Sequence, residues 1–249
     1  MIKVVLLGAG NVATHLFNAF DEAKNISIEQ VFSRKESSLT SFEKKTAVTT
    51  SLENLKEADV YILAVKDDAV KNVIEKIQYK NGLIVHTSGS VPLLKSAKNN
   101  GVFYPLQTFS KNTAVDFSKI PLCIEADIDE NLALLHQLAN SISNSVYEIS
   151  SEQRKSLHLS AVFVCNFVNH LYSIGEDLCQ ENKVPFEILH PLILETARKA
   201  SVNSPASVQT GPAVRNDQKT IDFHLAQLNK ADYSKIYTLL TDSIQQKNG

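Results

Sequence analysis

Cysteine is scarce. The chain has three, Cys123, Cys165 and Cys179, scattered and without CxxC spacing. That excludes a disulfide framework and a structural zinc site, and it fits a reducing, cytoplasmic setting. Charge of one sign is also missing. The formal net charge is −2, and no long run of Lys or Arg occurs, which argues against nucleic acid as a partner. No apolar run reaches the length of a membrane span: the longest, residues 157–168, is interrupted by His158, Ser160 and Asn166. Lys3 to Gly8 is too short an apolar stretch for a signal peptide, so a soluble protein without a membrane partner is expected. There is no HExxH or carboxylate cluster for a catalytic metal, and no thiol flanked by an obvious base for nucleophilic attack. Internal repeats and low-complexity tracts are absent. What remains is an ordinary globular composition, 43% hydrophobic and 21% charged over 249 residues, enough for one large domain or two modest ones.

Against those absences the opening stretch stands out. Residues 2–7 are apolar and β-branched, and read as a strand buried on both faces. They run into Gly8-Ala9-Gly10-Asn11-Val12-Ala13, a G-x-G-x-x-(G/A) pattern, and then into a helical stretch over 12–23. Gly8 permits the tight turn, Gly10 lets a pyrophosphate approach the backbone, and Ala13 lets the helix pack closely on a sheet. The free N–H groups and positive end of that helix would face the phosphates. Alone, the pattern is only a tight strand–helix turn; a strand before it and a helix after it are the context of a dinucleotide site. Gly8, Ala9, Gly10, Asn11 and Val12 are its candidate contacts.

A second strand, 28–32, ends at Ser33-Arg34-Lys35. Where such a strand meets the adenosine ribose, an acid would accept from a free 2′-hydroxyl, whereas Arg suits a 2′-phosphate. Ser33 and Arg34 stand there, and guanidinium matches phosphate oxygens with a forked donor set. NADP is therefore expected over NAD, with a solvated basic loop as the alternative. Further strands are read at 47–50, 59–65, 82–86, 102–104, 122–125 and 146–149, with helices to about 77 and over 130–142. This alternation implies βαβ units and a parallel sheet. Right-handed crossovers bring the strand ends to one edge, so Ala64, Val65 and Lys66, and also His86 and Ser88, should border the cofactor. His86 reads equally as a satisfied structural histidine. Pro105-Leu106-Gln107-Thr108-Phe109 follows a strand at the same edge, which makes Gln107 and Thr108 candidate substrate contacts.

Strand patterns stop near Ser150. Ser151 is a plausible N-cap for a helix running to about 181, with Leu157, Val162, Phe163, Leu171, Ile174 and Leu178 as its buried spine. Helices are also expected over 192–200, 220–228 and 233–245, with a loop over 203–213. The expected fold is α/β: a Rossmann-type, mainly parallel sheet over 1–150, followed by an all-α domain over 151–249.

Several stretches carry a resemblance: His86-Thr87-Ser88-Gly89-Ser90, Pro105 to Phe109, the His158…Asn166-Phe167 helix, and Thr210-Gly211-Pro212-Ala213-Val214-Arg215-Asn216-Asp217, with Thr220 and His224. The chain resembles the superfamily of pyrroline-5-carboxylate reductase, ketopantoate reductase and phosphogluconate dehydrogenase. More closely, it resembles a family that pairs a Rossmann-like domain with a helical domain of unknown function. That family often has His at the position of Tyr104 and Gly at that of Asn216. The resemblance implies NADP binding, a reductase with its substrate in the cleft between the domains, and a homodimer packed through the helical domains.

His158 and Asn166 lie eight residues apart, with Val162 between them on one helix face. In the resembling dehydrogenases an acid/base and an amide on this helix face the nicotinamide. His158 is then the candidate for proton transfer, since imidazole titrates near neutrality, and Asn166 for orienting the substrate. The alternative is that both are satisfied polar groups in a helix interface. Arg215 follows a Thr-Gly-Pro turn and could bind a substrate carboxylate or phosphate. Asp217 reads as a helix cap, and His224 as packing. The expected activity is hydride transfer between NADP and a small carbonyl or imine. The rivals are a non-catalytic NADP(H) sensor and, less favoured, a Rossmann methyltransferase.

Overall fold

In a computed structural model, which describes residues 1–94, 99–111 and 113–248, the apolar runs become eight strands of one sheet. They are β1 (Ile2–Leu7), β2 (Ile26–Phe32), β3 (Ala47–Thr49), β4 (Val60–Leu63), β5 (Leu83–His86), β6 (Asn100–Pro105), β7 (Leu122–Ala126) and β8 (Val146–Glu148). The order across the sheet is β3-β2-β1-β4-β5-β6-β7-β8. Every pairing is parallel except β6 with β7.

Alternation along β1 sorts the core into two layers, as strand pleating requires. Val4 and Leu6 pack with Leu16, Phe17 and Phe20 of α1 (Asn11–Glu22) and with Leu135 and Leu138 of α3 (Asp129–Asn140). Val5 and Leu7 face the other way, onto Val70, Ile74 and Ile77 of α2 (Asp67–Ile77). Because both faces are covered, the central strands carry apolar residues at consecutive positions. Strand register lines up Leu7 with Phe32 and Leu63, and Leu63 with His86. The four strand ends that carry the expected cofactor residues therefore lie in one row.

Two compact units divide the chain, Met1–Cys165 and Asn166–Gly249. Helix α4 (Ser151–Ala161) belongs to the first, pinned there by Arg154, whose side chain is fully buried. The second contains α5 (Val168–Glu181), α6 (His190–Val202), α7 (Gln218–Gln227) and α8 (Ala231–Asn248).

Four expectations need correction. The cap of α4 is Ser150, whose Oγ accepts from the backbone N–H of Gln153, while the Gln153 side chain accepts from the Ser150 N–H. This is a capping box, and it frees Ser151 for other bonds. The helix from Ser151 is not uniformly α-helical: Val162–Phe167 forms a π-helix. Eight-residue same-face spacing assumes an unbroken 3.6-residue turn, so it does not carry through this segment. The expected apolar spine is not buried either; Phe163 is 59% exposed and Leu171 is 37% exposed. Finally, the 203–213 loop contains a 3-10 turn, Pro205–Val208.

By length and composition alone, Ser151–Glu181 is the one helix among the described residues apolar enough to cross a membrane, with none of the relevant window buried.

Candidate functional site

Gly8 leaves β1 with φ +130°, and a Cβ there would lie 2.2 Å from the Ala64 carbonyl oxygen. Only glycine allows that turn and that approach of two strand ends. Gly8 N–H donates to Phe32 O at 2.8 Å, and Ala64 N–H to Leu7 O at 2.8 Å. Gly10 then caps α1 with no side-chain cap bond and no acid in the first turn. A Cβ on Gly10 would meet nothing within 4 Å. The N-terminal amides of α1 thus open onto free space, which suits an anion.

A cavity of about 1160 Å³ spreads from this turn, bounded by Gly8, Ala9, Gly10, Ser33, Arg34, Lys35, Ala64, Val65 and Lys66 among others. Its floor is the row of strand ends. Arg34, Lys35 and Lys66 supply positive charge around it, as a phosphorylated ligand requires. Asn11 and Val12 are not part of its wall. The Asn11 side chain instead donates to Phe109 O at 3.0 Å, and His15 Nε2 bonds Ser110 O at 2.9 Å. Together they tie α1 to the segment that carries Gln107 and Thr108. A second cavity of about 600 Å³ lies between α1 and Lys111, Thr113 and Phe117, and contains none of the glycine motif.

His86 is 1% exposed. Its Nε2 lies 3.2 Å from Pro92 O, and its Nδ1 accepts from Ser88 N–H at 3.3 Å. Burial, with Arg154 nearby, holds its imidazole down to about 4. The ring shapes the 86–92 loop from within. Ser88, also buried, accepts at Oγ from the N–H groups of Ser90 and Val91. Neither residue lines the cofactor cavity.

The same loop meets α4. At Gly89 the approach is close: a Cβ there would lie 2.5 Å from His158 Nδ1, 2.7 Å from its Cγ and 3.0 Å from Tyr104 Cζ. Tyr104, on β6, reaches His158 Nδ1 with its hydroxyl at 3.0 Å. The two rings stand edge to face, 6.0 Å between centroids. Burial pushes the Tyr104 phenol up to about 12. His158 itself is half-buried.

One turn earlier, Arg154 Nη1 bonds Glu125 Oε2 at 2.5 Å and Nη2 bonds Val91 O at 2.6 Å. Glu125 also accepts from the Ser151 N–H and hydroxyl, and Ser151 Oγ accepts from Leu93 N–H at 2.8 Å. This network joins β7, the 88–93 loop and the start of α4. It fixes the helix face on which Arg154 and His158, four residues apart, both lie.

The remaining candidates are less engaged. Gln107 and Thr108 are exposed, and Gln107 Oε1 accepts from both the N–H and the hydroxyl of Thr108. Asn166 is exposed on the π-helix. Arg215 is exposed in the turn over 211–216, where Asn216 has φ +52°. That left-handed conformation suits glycine and is tolerated by asparagine, so this turn can form without a glycine at 216. Asp217 caps α7, accepting from Thr220 N–H at 3.1 Å and Thr220 Oγ1 at 2.7 Å. His224 Nδ1 bonds the Tyr237 hydroxyl at 2.8 Å.

Comparison with known proteins agrees with this geometry. Residues 3–88 match the family described as NADP oxidoreductase coenzyme F420-dependent, and residues 120–244 match Domain of unknown function (DUF2520). A solved structure from Bacteroides fragilis, described as a candidate NADP oxidoreductase, is 43% identical, with 98% of each chain covered and a TM-score of 0.91. The chain belongs to this NADP oxidoreductase family. Two more distant structures share the fold. A Thermotoga maritima protein is 19% identical, with 98% of each chain covered and a TM-score of 0.73. Pyrroline carboxylate reductase of Plasmodium falciparum, solved with NADP bound, is 15% identical over 99% of this chain and 97% of its own, with a TM-score of 0.61. No curated protein matches the sequence.

NADP is the cofactor of such an oxidoreductase, and the residues present fit it. The open space at Gly10 admits a pyrophosphate that a Cβ would obstruct, and Arg34 lines the same cavity. Sequence reasoning missed Tyr104, Gly89, Arg154 and Glu125. The capping box at Ser150 was readable, and with it the start of the helix face carrying Arg154 and His158. Nothing local marked Glu125 or Tyr104 as partners.

Proposed function

We propose that this oxidoreductase transfers a hydride between the nicotinamide of NADP and a small carbonyl or imine compound, with His158 handling the proton. The observation that carries the reading is His158 itself. Its Nδ1 is held by Tyr104, while its Nε2 has no hydrogen-bond partner among the described residues, so a donor remains free for a ligand. When bound, NADPH supplies the hydride, which is the cofactor's chemistry.

The chain's own residues do the rest. The α1 amides and Gly10 receive the pyrophosphate, and Arg34 with Ser33 receives the 2′-phosphate. His158 Nε2–H donates to the carbonyl oxygen or imine nitrogen and passes its proton as charge develops there.

The chain works as a homodimer in the cytoplasm. Leu159, Val164 and Leu171 are exposed in the single chain, and exposed apolar side chains favour pairing with a second copy. The three free thiols fit a reducing compartment.

The test is a titration with NADPH and NADH, following nicotinamide fluorescence. NADPH should bind more tightly, and Arg34→Ala should erase the preference; binding of neither nucleotide overturns the reading. With 1-pyrroline-5-carboxylate and 2-keto acids as probe substrates, His158→Gln should lower turnover by about 10²- to 10⁴-fold while NADPH affinity stays the same. Unchanged turnover would remove His158 from the chemistry.

A further inference from the structure

We propose that Tyr104 is the positioning residue of His158: its phenol O–H donates to Nδ1, fixes the imidazole as the Nε2–H tautomer, and follows with its own proton when Nε2–H is given up. The inference rests on the role given to His158 above.

The geometry leaves few other arrangements. Tyr104 is 9% exposed, on β6 beside Val102, Cys123 and Leu157, and Nδ1 is the partner of its hydroxyl at 3.0 Å. A buried hydroxyl is costly unless bonded. If Nδ1 carried a proton instead, it would donate to the phenol oxygen, and the phenol hydrogen would have to turn to another acceptor. None bonds it among the described residues. Gly89 closes the Nδ1 side of the ring: its backbone sits where a Cβ would reach 2.5 Å from Nδ1, leaving no room there for a competing side chain. The imidazole is therefore held at one nitrogen and open at the other.

The consequence for the reaction can be balanced. A neutral imidazole that donates from Nε2 must take a proton at Nδ1 in the same event, because an imidazolate is not accessible near neutrality. The Nε2–H bond breaks as the substrate O–H bond forms; the Tyr104 O–H bond breaks as the Nδ1–H bond forms. The product is an alcohol, with a phenolate facing Nδ1–H; the starting state returns when Nε2 takes a proton from water and Nδ1 gives its proton back to the phenolate. An alcohol is a weaker acid than a phenol, so the transfer runs downhill even with the phenol raised to about 12 by burial. Arg154, buried close by, favours the transient phenolate. The other titratable groups facing the pair are Cys123 on β7, Asp67 at the start of α2 and Cys165 on the π-helix.

The experiment uses the full chain, with ¹⁵N-labelled histidine, free and with NADPH. The His158 ring nitrogens report the tautomer directly by NMR. The wild-type protein should show a protonated Nε2 and an unprotonated, hydrogen-bonded Nδ1; Tyr104→Phe should show a mixture of tautomers. With 1-pyrroline-5-carboxylate or a 2-keto acid as probe substrate, Tyr104→Phe should lower kcat by about 10- to 100-fold, with NADPH affinity unchanged. A protonated Nδ1 in the wild-type protein overturns the inference without recourse to any variant. So does wild-type kcat in Tyr104→Phe when His158→Gln is inactive. If His158→Gln retains full turnover, it is the role of His158 that fails.

Discussion

Gly89→Ala is a one-carbon change whose consequence can be worked out in advance. The added methyl would stand 2.5 Å from His158 Nδ1, where ordinary contact begins at 3.4 Å, so the ring or the loop must give by about 1 Å. Backbone strain contributes nothing, because Gly89 does not adopt a positive φ. The loop is the stiffer partner. Val91 O is bonded by Arg154, Leu93 N–H by Ser151, and the N–H groups of Ser90 and Val91 by Ser88. The imidazole therefore retreats and the Tyr104 bond opens. Overpacking of this kind costs about 1–3 kcal/mol, a fall in melting temperature of roughly 2–10 °C for a chain of this size. Misplacing a reacting group by about 1 Å costs about 10²-fold in rate. Gly89 does not line the cofactor cavity, so NADPH affinity should stay at the wild-type value. Thermal unfolding by circular dichroism, NADPH titration and turnover of a probe substrate measure the three quantities. Wild-type melting and turnover in Gly89→Ala would refute the close packing of Gly89 against His158, and with it the argument that the loop holds this ring.

Other consequences concern stability and assembly. The His86 imidazole is held down to about 4, first by burial and then by Arg154, against an unfolded value near 6.5. A depressed histidine contributes stability above its unfolded value that is lost as pH falls, so about 3 kcal/mol should disappear between about pH 6.5 and 4. Urea unfolding across that range checks it; a wild-type slope retained in His86→Gln would show that another group is responsible. Arg154→Met strands Glu125 inside and should cost about 3–5 kcal/mol, while adding Glu125→Met should recover much of that loss. Failure of the second change to recover any stability would mean that the pair's worth lies in its bonds to Ser151 and Val91. Light scattering at micromolar concentration should give twice the chain mass, and a monomer would leave the exposed apolar face of Ser151–Glu181 unexplained.

What could be read from the sequence divides by the distance over which a signal acts. The turn at Gly8, the opening of α1 at Gly10 and the cap of α7 at Asp217 are each decided within a few residues, and the chain spells them out. Strand ends came into one row because consecutive apolar runs with helical crossovers leave a parallel sheet little choice of order. Burial was legible in the sheet strands and not along the helix from Ser151. Phe163 and Leu171 look like core in the sequence because they are core residues in composition, yet they stand 59% and 37% exposed. His158 is the mixed case. Its residue type and its place on a helix after the sheet marked it as a candidate. Its setting, though, depends on Tyr104, 54 residues away, and on a loop pinned by Arg154 across to β7. No periodicity records such contacts, because β7 returns antiparallel beside β6 and so brings Glu125 to the start of α4. Read from the chain alone, Tyr104 is a departure from the histidine common in the resembling family, and it argues against acid/base chemistry at that position. Once the fold sets its hydroxyl against Nδ1, it decides, in the role proposed for His158, which nitrogen is left for a substrate.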